Sequence, residues 1–100
     1  DTTTIVRAKV VPDWTDACLV EAGDLMIPLD EGAIGKEHIH ADLGEVVGGF
    51  KPGRENDEEI TLFKSVGLAI QDVSTANLVY RKAREVGLGV EFAFRNPAPQ

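Results

Sequence analysis

One stretch limits the possible folds of this chain more than any other: a short strand that runs through a small turn into a long amphipathic helix. Ile60 to Ser65 reads ITLFKS, a β-leaning run that Thr61 and Lys64 leave only partly apolar. Val66 to Val86 then carries apolar residues at Ala69, Ile70, Val73, Ala76, Tyr80 and Ala83. Their spacing of three and four residues draws one face of a helix. Ser65 is placed to cap its start and Gly87 to end it. Such a helix has about 20 residues and is roughly 30 Å long. That exceeds what a two-strand unit can cover, so one end is expected to reach another domain or another subunit.

Upstream, Ile5 to Val11 (IVRAKVV) is β-branched-rich and closed by Pro12 and Asp13, which predicts another strand. Trp14 to Ala22 predicts a short helix, with Asp13 or Thr15 as its cap and Gly23 as its stop. A strand that leads into a helix is half of a βαβ unit, so the expected class is α/β. Leu25 to Leu29 is interrupted by Pro28 and is expected to be a loop or a very short extended piece. Lys36 to His40 and Ala41 to Val47 predict one or two short helices, and Gly48, Gly49, Pro52 and Gly53 mark a loop. Val90 to Phe94 alternates weakly and predicts a third strand, followed by a polar tail over 95–100. Residues 1–94 read as a single partial domain, with no repeat and no internal boundary.

Charge and cysteine content remove several function classes. Seventeen acidic residues against ten basic ones give a net charge of -7. Nucleic acid and anionic membrane are themselves negative, so neither is an expected partner. The acidic run Glu55, Asp57, Glu58, Glu59 reads as a solvated loop. Cys18 is the only cysteine, which excludes an internal disulfide and fits a reducing, cytoplasmic setting. It lies in an apolar stretch and reads as a small buried hydrophobe rather than a nucleophile. No apolar run approaches the roughly 20 residues of a membrane span, and no signal peptide is visible. A first residue of Asp rather than Met is expected of a trimmed or excised segment.

A dinucleotide-binding turn needs GxGxxG between a strand and a helix. Gly87-Leu88-Gly89 follows a helix and has no third glycine, so it reads as a helix stop. Gly32 to Lys36 has neither the spacing nor the Ser or Thr of a phosphate loop, and Gly48 to Arg54 reads as a turn. His38 and His40 would face one way on a strand, but on a helix they diverge by about 200°. With no third ligand they read as surface or capping histidines, and no metal is expected. No catalytic residue is assigned, and Ser65 and Ser74 lack a nucleophile elbow. The turn Ser65-Val66-Gly67 is the remaining candidate. Ligands of open α/β sheets sit beyond the carboxyl ends of strands, and a helix start offers free N–H groups there. Gly67 permits close backbone approach.

Several blocks are specific in order and spacing. Glu21 to Leu29 (EAGDLMIPL) with Glu31-Gly32-Ala33-Ile34, His38 to Val46 (HIHADLGEV), Gly53-Arg54, and Glu59 to Ala69 (EITLFKSVGLA) with Asp72 resemble the signature segments of the ornithine cyclodeaminase / mu-crystallin / archaeal alanine dehydrogenase family. Tyr80, Ala83, Gly87 and Gly89 fit its closing helix and turn, so the resemblance runs to about Phe94. It implies a partial Rossmann-like unit: two parallel strands with crossover helices, followed by a long C-terminal helix that packs back on a dimerisation domain. Relatives of this kind are NAD- or NADP-binding homodimers that exchange hydride with a carbon bearing an amino or imino group. The resemblance implies that Ser65 and Gly67 border the nicotinamide end of the cofactor and that Val66 borders the amino-acid or imine substrate. The family's glycine fingerprint, ribose-binding residues, substrate-carboxylate cations and acid/base aspartate would lie upstream of Asp1. The chain therefore reads as a C-terminal segment, expected to bind no cofactor and to catalyse nothing alone. The alternative is a stand-alone, self-associating, non-enzymatic module derived from that family. Either way, unpaired strand edges and an apolar helix face predict a homo-oligomer.

Overall fold

The computed structural model describes residues 1–94. They form α1 (Thr2–Arg7), β1 (Lys9–Pro12), α2 (Thr15–Glu21), α3 (Gly23–Asp30), a 3-10 turn (Lys36–His38), α4 (Leu43–Val47), β2 (Thr61–Lys64) and α5 (Ala69–Val86). The chain divides into two compact units, Asp1–Gly67 and Leu68–Gln100.

In the first unit β1 and β2 pair in parallel, with Lys9, Val10, Val11 and Pro12 opposite Thr61, Leu62, Phe63 and Lys64. The expected α/β class and parallel strand pair are thus observed. The crossover between them carries α2, α3 and α4. The free side of β1 is partly covered by Ile39, which forms a parallel bridge with Val10, and the His40 N–H donates to the Val10 carbonyl at 2.9 Å. Lys9 N–H donates to Ile60 O and Asp13 N–H to Lys64 O. Alternation therefore turns residue 12 away from β2, so Pro12, which has no N–H, can end the strand without breaking the ladder. The core is Ile5, Ala8, Val10, Cys18, Ala22, Leu25 and Ile34, with Leu29, Ile39, Leu62 and Val66 packed against it. Lys9 holds the loop before β2 in place: its ammonium meets Glu55 at 2.7 Å, Glu59 at 2.5 Å and the Gly53 carbonyl at 3.1 Å.

Some expected elements are corrected. The strand foreseen over Ile5–Val11 starts only at Lys9, because Thr2–Arg7 is helical. Asp1 caps that helix, accepting from the Thr4 N–H at 2.8 Å. β-Branched residues lose only about 0.7 kcal/mol or less each in a helix, and burying Ile5 is worth about 2 kcal/mol. The expected loop at Leu25–Leu29 is helix α3, with Pro28 inside it. The missing N–H and ring clash cost about 3 kcal/mol. Complete burial of Leu25, together with packing on α1 and α2, supplies the compensation.

The one or two short helices foreseen over 36–47 are a 3-10 turn and α4, separated by Ile39 on the sheet edge and by Asp42. The Asp42 N–H donates to Glu45 Oε2 at 3.0 Å, and its carboxylate accepts from the Thr15 N–H at 2.8 Å, so one aspartate anchors two helix starts.

In the second unit the long helix is present but starts at Ala69, three residues later than foreseen. Leu68 takes the cap position, and Ser65 caps nothing. Gly87 ends the helix at φ 71°, with Leu88 N–H donating to Ala83 O at 2.8 Å. This left-handed stop is the role read for Gly87 in the sequence. No residue of α5 is buried. The strand foreseen at Val90–Phe94 is absent; the segment is irregular, with Phe92 and Phe94 edge-to-face at 5.4 Å. Among the described residues no strand pairs with this segment, and weak alternation alone does not hold a strand. The foreseen tail, 95–100, lies outside the described residues.

Candidate functional site

Parallel pairing brings the carboxyl ends of β1 and β2 side by side. Pro12 lies opposite Lys64, so the next residues, Asp13 and Ser65, leave the sheet together. Asp13 is the only buried charged residue among those described. Its Oδ2 accepts from the Ser65 hydroxyl at 2.7 Å and from the N–H groups of Val66 and Gly67 at 3.2 Å each. Its Oδ1 accepts from the Trp14 N–H at 2.7 Å and the Cys18 thiol at 3.4 Å. Gly67 N–H also lies 3.1 Å from Ser65 Oγ. One carboxylate thus gathers the start of α2 and the turn after β2.

Burial by itself would raise the Asp13 pKa. The donors from Ser65, Trp14, Cys18 and Gly67 outweigh it and hold the carboxyl well below the usual carboxylate range. The group is ionised and acts only as an acceptor. Cys18 shows the converse: burial first, then the hydrogen bond and charge of Asp13, push its thiol up. It remains a protonated, inert core residue, fully buried as its apolar neighbours suggested.

The residues singled out in the sequence fall into two groups. Ser65, Val66 and Gly67 form one turn at the carboxyl end of β2, with Ser65 and Val66 half-buried and Gly67 exposed. Gly67 has φ +90°, and a Cβ built there meets no atom within 4 Å. The backbone conformation, rather than crowding, asks for glycine, and the space beside it is open. The N–H groups of Val66 and Gly67, expected to be free for a ligand, are instead turned onto Asp13. His38 and His40 do not converge: His38 Nε2 lies 2.7 Å from the Ile5 carbonyl and His40 Nε2 2.7 Å from the Pro52 carbonyl. Each ring donates to backbone and braces a loop. Among the described residues no group of three or more His, Cys, Asp or Glu is arranged to hold a metal ion, and no helix is long and apolar enough to cross a membrane.

Asp13 is the residue that sequence reasoning underrated, treating it as one of two possible helix caps. Its signal was positional. An acidic residue directly after one strand meets a Ser-x-Gly directly after another, and that meeting becomes visible only once the strands are known to pair in parallel.

Comparison with known proteins places this arrangement. Residues 2–87 match the model of the ornithine cyclodeaminase/mu-crystallin family. A Delta(1)-pyrroline-2-carboxylate reductase of Bacillus thuringiensis is 51% identical over 86 residues, 86% of this chain and 26% of the relative. The structure of the Thermococcus litoralis Delta(1)-pyrroline-2-carboxylate reductase, solved with NADH and L-proline, superposes with a TM-score of 0.79 at 53% identity, covering 92% of this chain and 28% of the reductase. An archaeal alanine dehydrogenase dimer with bound NAD superposes with a TM-score of 0.72 at 42% identity, over 95% of this chain and 29% of that one. The chain thus spans about a quarter of the length of the curated relatives it matches. With a family match over residues 2–87 and a superposition on relatives solved with NADH and with NAD, the chain belongs to the ornithine cyclodeaminase/mu-crystallin family.

Proposed function

We propose that residues 1–94 form the closing part of the nucleotide-binding unit of an NAD- or NADP-dependent amino-acid or imine oxidoreductase. In that role Ser65 and Gly67 border the nicotinamide end of the cofactor, and Val66 borders the substrate. The observation that carries this reading is the Ser65–Gly67 turn, fixed at the carboxyl edge of a parallel strand pair in a chain about half identical to a reductase solved with NADH and L-proline. Ligands of open α/β sheets lie at that edge.

The residues present fit one end of such a cofactor. Ser65 offers a half-buried hydroxyl, and Gly67 offers an exposed backbone with open space beside it. The bound nicotinamide would supply the hydride. This chain's contribution is to orient the ring and to line the substrate side with the Val66 side chain, which packs against the core.

The hundred residues contain no GxGxxG turn, so nothing in them grips a pyrophosphate. By themselves they bind no NADH and catalyse nothing. Fluorescence titration of this chain with NADH is expected to show no saturation, and a micromolar Kd would overturn that claim. The site itself is tested by exchanging this chain for the matching segment of the T. litoralis reductase. The chimera should bind NADH and reduce its imine substrate, and Ser65→Ala should weaken NADH binding about tenfold, the scale of one hydrogen bond. A chimera that folds but does not bind NADH rejects the reading.

A second copy is the proposed partner. Ile70, Val73 and Tyr80 stand exposed along α5, and the archaeal relative is a dimer. A monomer at micromolar concentration in light scattering would count against it, as it would against the self-associating, non-enzymatic alternative.

A further inference from the structure

The Ser65 hydroxyl is not free to choose its hydrogen-bonding role. A hydroxyl has one proton to give and two lone pairs to receive with. The atom 2.7 Å from Ser65 Oγ is Oδ2 of Asp13, a carboxylate oxygen with no proton to donate, so the serine proton is committed to it. Donors from Ser65, Val66, Gly67, Trp14 and Cys18 converge on that carboxylate and keep it ionised. One serine lone pair meets the Gly67 N–H at 3.1 Å, a donor shared with Asp13 at 3.2 Å. The other lone pair is left for a ligand. The Val66 and Gly67 N–H groups are turned inward as well, so these three residues present an acceptor where a strand-to-helix turn ordinarily presents donors.

We propose that Asp13 is a positioning residue that makes Ser65 an obligate hydrogen-bond acceptor, so that this site selects a cofactor ring bearing an N–H donor and rejects one that offers only a carbonyl. The proposal rests on the nicotinamide reading above. In a primary carboxamide the –NH2 would face Ser65 Oγ. A ring carrying an acetyl group in its place would bring only an oxygen or a methyl to that lone pair, and the oxygen would be repelled. The preference follows from a residue that is itself almost wholly buried behind the turn.

The test is equilibrium fluorescence binding to the chimera described above, with three reduced dinucleotides. These are NADH, its thionicotinamide analogue, which keeps the –NH2, and its 3-acetylpyridine analogue, which replaces it with methyl. NADH and the thio analogue should bind within about threefold of each other, and the acetyl analogue about tenfold more weakly than NADH. Ser65→Ala should bring NADH and the acetyl analogue to within about twofold. Asp13→Asn can turn its own –NH2 to Ser65 and release the serine proton, so the acetyl analogue should regain affinity and the preference fall to about threefold or less. A simple loss of packing would weaken all three ligands together and leave their ratio unchanged. An acetyl analogue that binds the unsubstituted chimera as tightly as NADH overturns the proposal, as does an Asp13→Asn protein that keeps the full preference. If Asp13→Asn does not fold, the unsubstituted and Ser65→Ala ratios decide. A chimera that binds no NADH rejects the nicotinamide reading and this inference together, whereas binding without the ratio rejects the inference alone.

Discussion

The two units of this chain are held together in different ways. Asp1–Gly67 has every fully buried side chain among the described residues, a parallel strand pair and a buried carboxylate held by backbone and side-chain donors. Leu68 onward has an 18-residue helix with no buried residue and exposed apolar side chains along it. The first unit is defined by contacts between residues far apart in sequence, the second by contacts within one turn of helix. Most helical stability in proteins comes from packing an amphipathic face rather than from propensity. The first unit therefore carries its own reasons to fold, whereas the helix of the second has an apolar face that nothing buries among the described residues.

The largest expected effect tests that asymmetry at its core. Leu25 is fully buried, and Leu25→Ala should destabilise the first unit by about 2–5 kcal/mol in urea unfolding. Ile70→Ala on the exposed face of α5 should cost about 0.5 kcal/mol or less in a monomer. Equal costs would erase the distinction between the units.

Asp13→Ala comes next, because it strands the Ser65, Trp14, Val66 and Gly67 donors at once. A loss of about 3 kcal/mol is expected, and less for Asp13→Asn, which keeps an acceptor. Near-neutral behaviour would show that the turn stands without its clamp.

The same carboxylate sets an acid limit. Its pKa in the folded chain lies below its ordinary value of 3.8, so the unfolded chain takes up the proton first as pH falls. Its stabilisation is complete above about pH 5, begins to drain as pH drops through the unfolded pKa, and continues to drain below it. Urea midpoints measured from pH 6 to pH 2 should therefore fall more steeply for the natural sequence than for Asp13→Ala. Parallel slopes would remove Asp13 from the linkage.

Val73→Glu places a charge on the exposed face of α5. With the proposed second copy on this face, it should shift sedimentation towards the monomer and leave unfolding of the first unit unchanged.

The smallest effect is expected at the end of α5. Gly87→Ala forces a side chain into φ 71° and should cost about 1 kcal/mol of local helix stability, read as faster amide exchange near Ala83.

Much of this was legible in the sequence because it is local. The period of α5 and its glycine stop were readable, since helical spacing and a left-handed cap involve residues within one turn of each other. So were the β2 segment, the α2 helix and the family signature around FKSVG. Misread elements are those in which a distant partner outweighed a local preference. Thr2–Arg7 is helical because Ile5 reaches the core, and α3 keeps Pro28 because Leu25 is buried. The segment at Val90–Phe94 stays irregular for the opposite reason, since its weak alternation has no pairing partner among the described residues. The strand, the turn residues, the long helix and the family could be read from residue order alone. That Asp13 owns the turn emerged only with the fold. Fifty-two residues separate Asp13 from Ser65, and no local rule couples them until parallel register sets Pro12 beside Lys64.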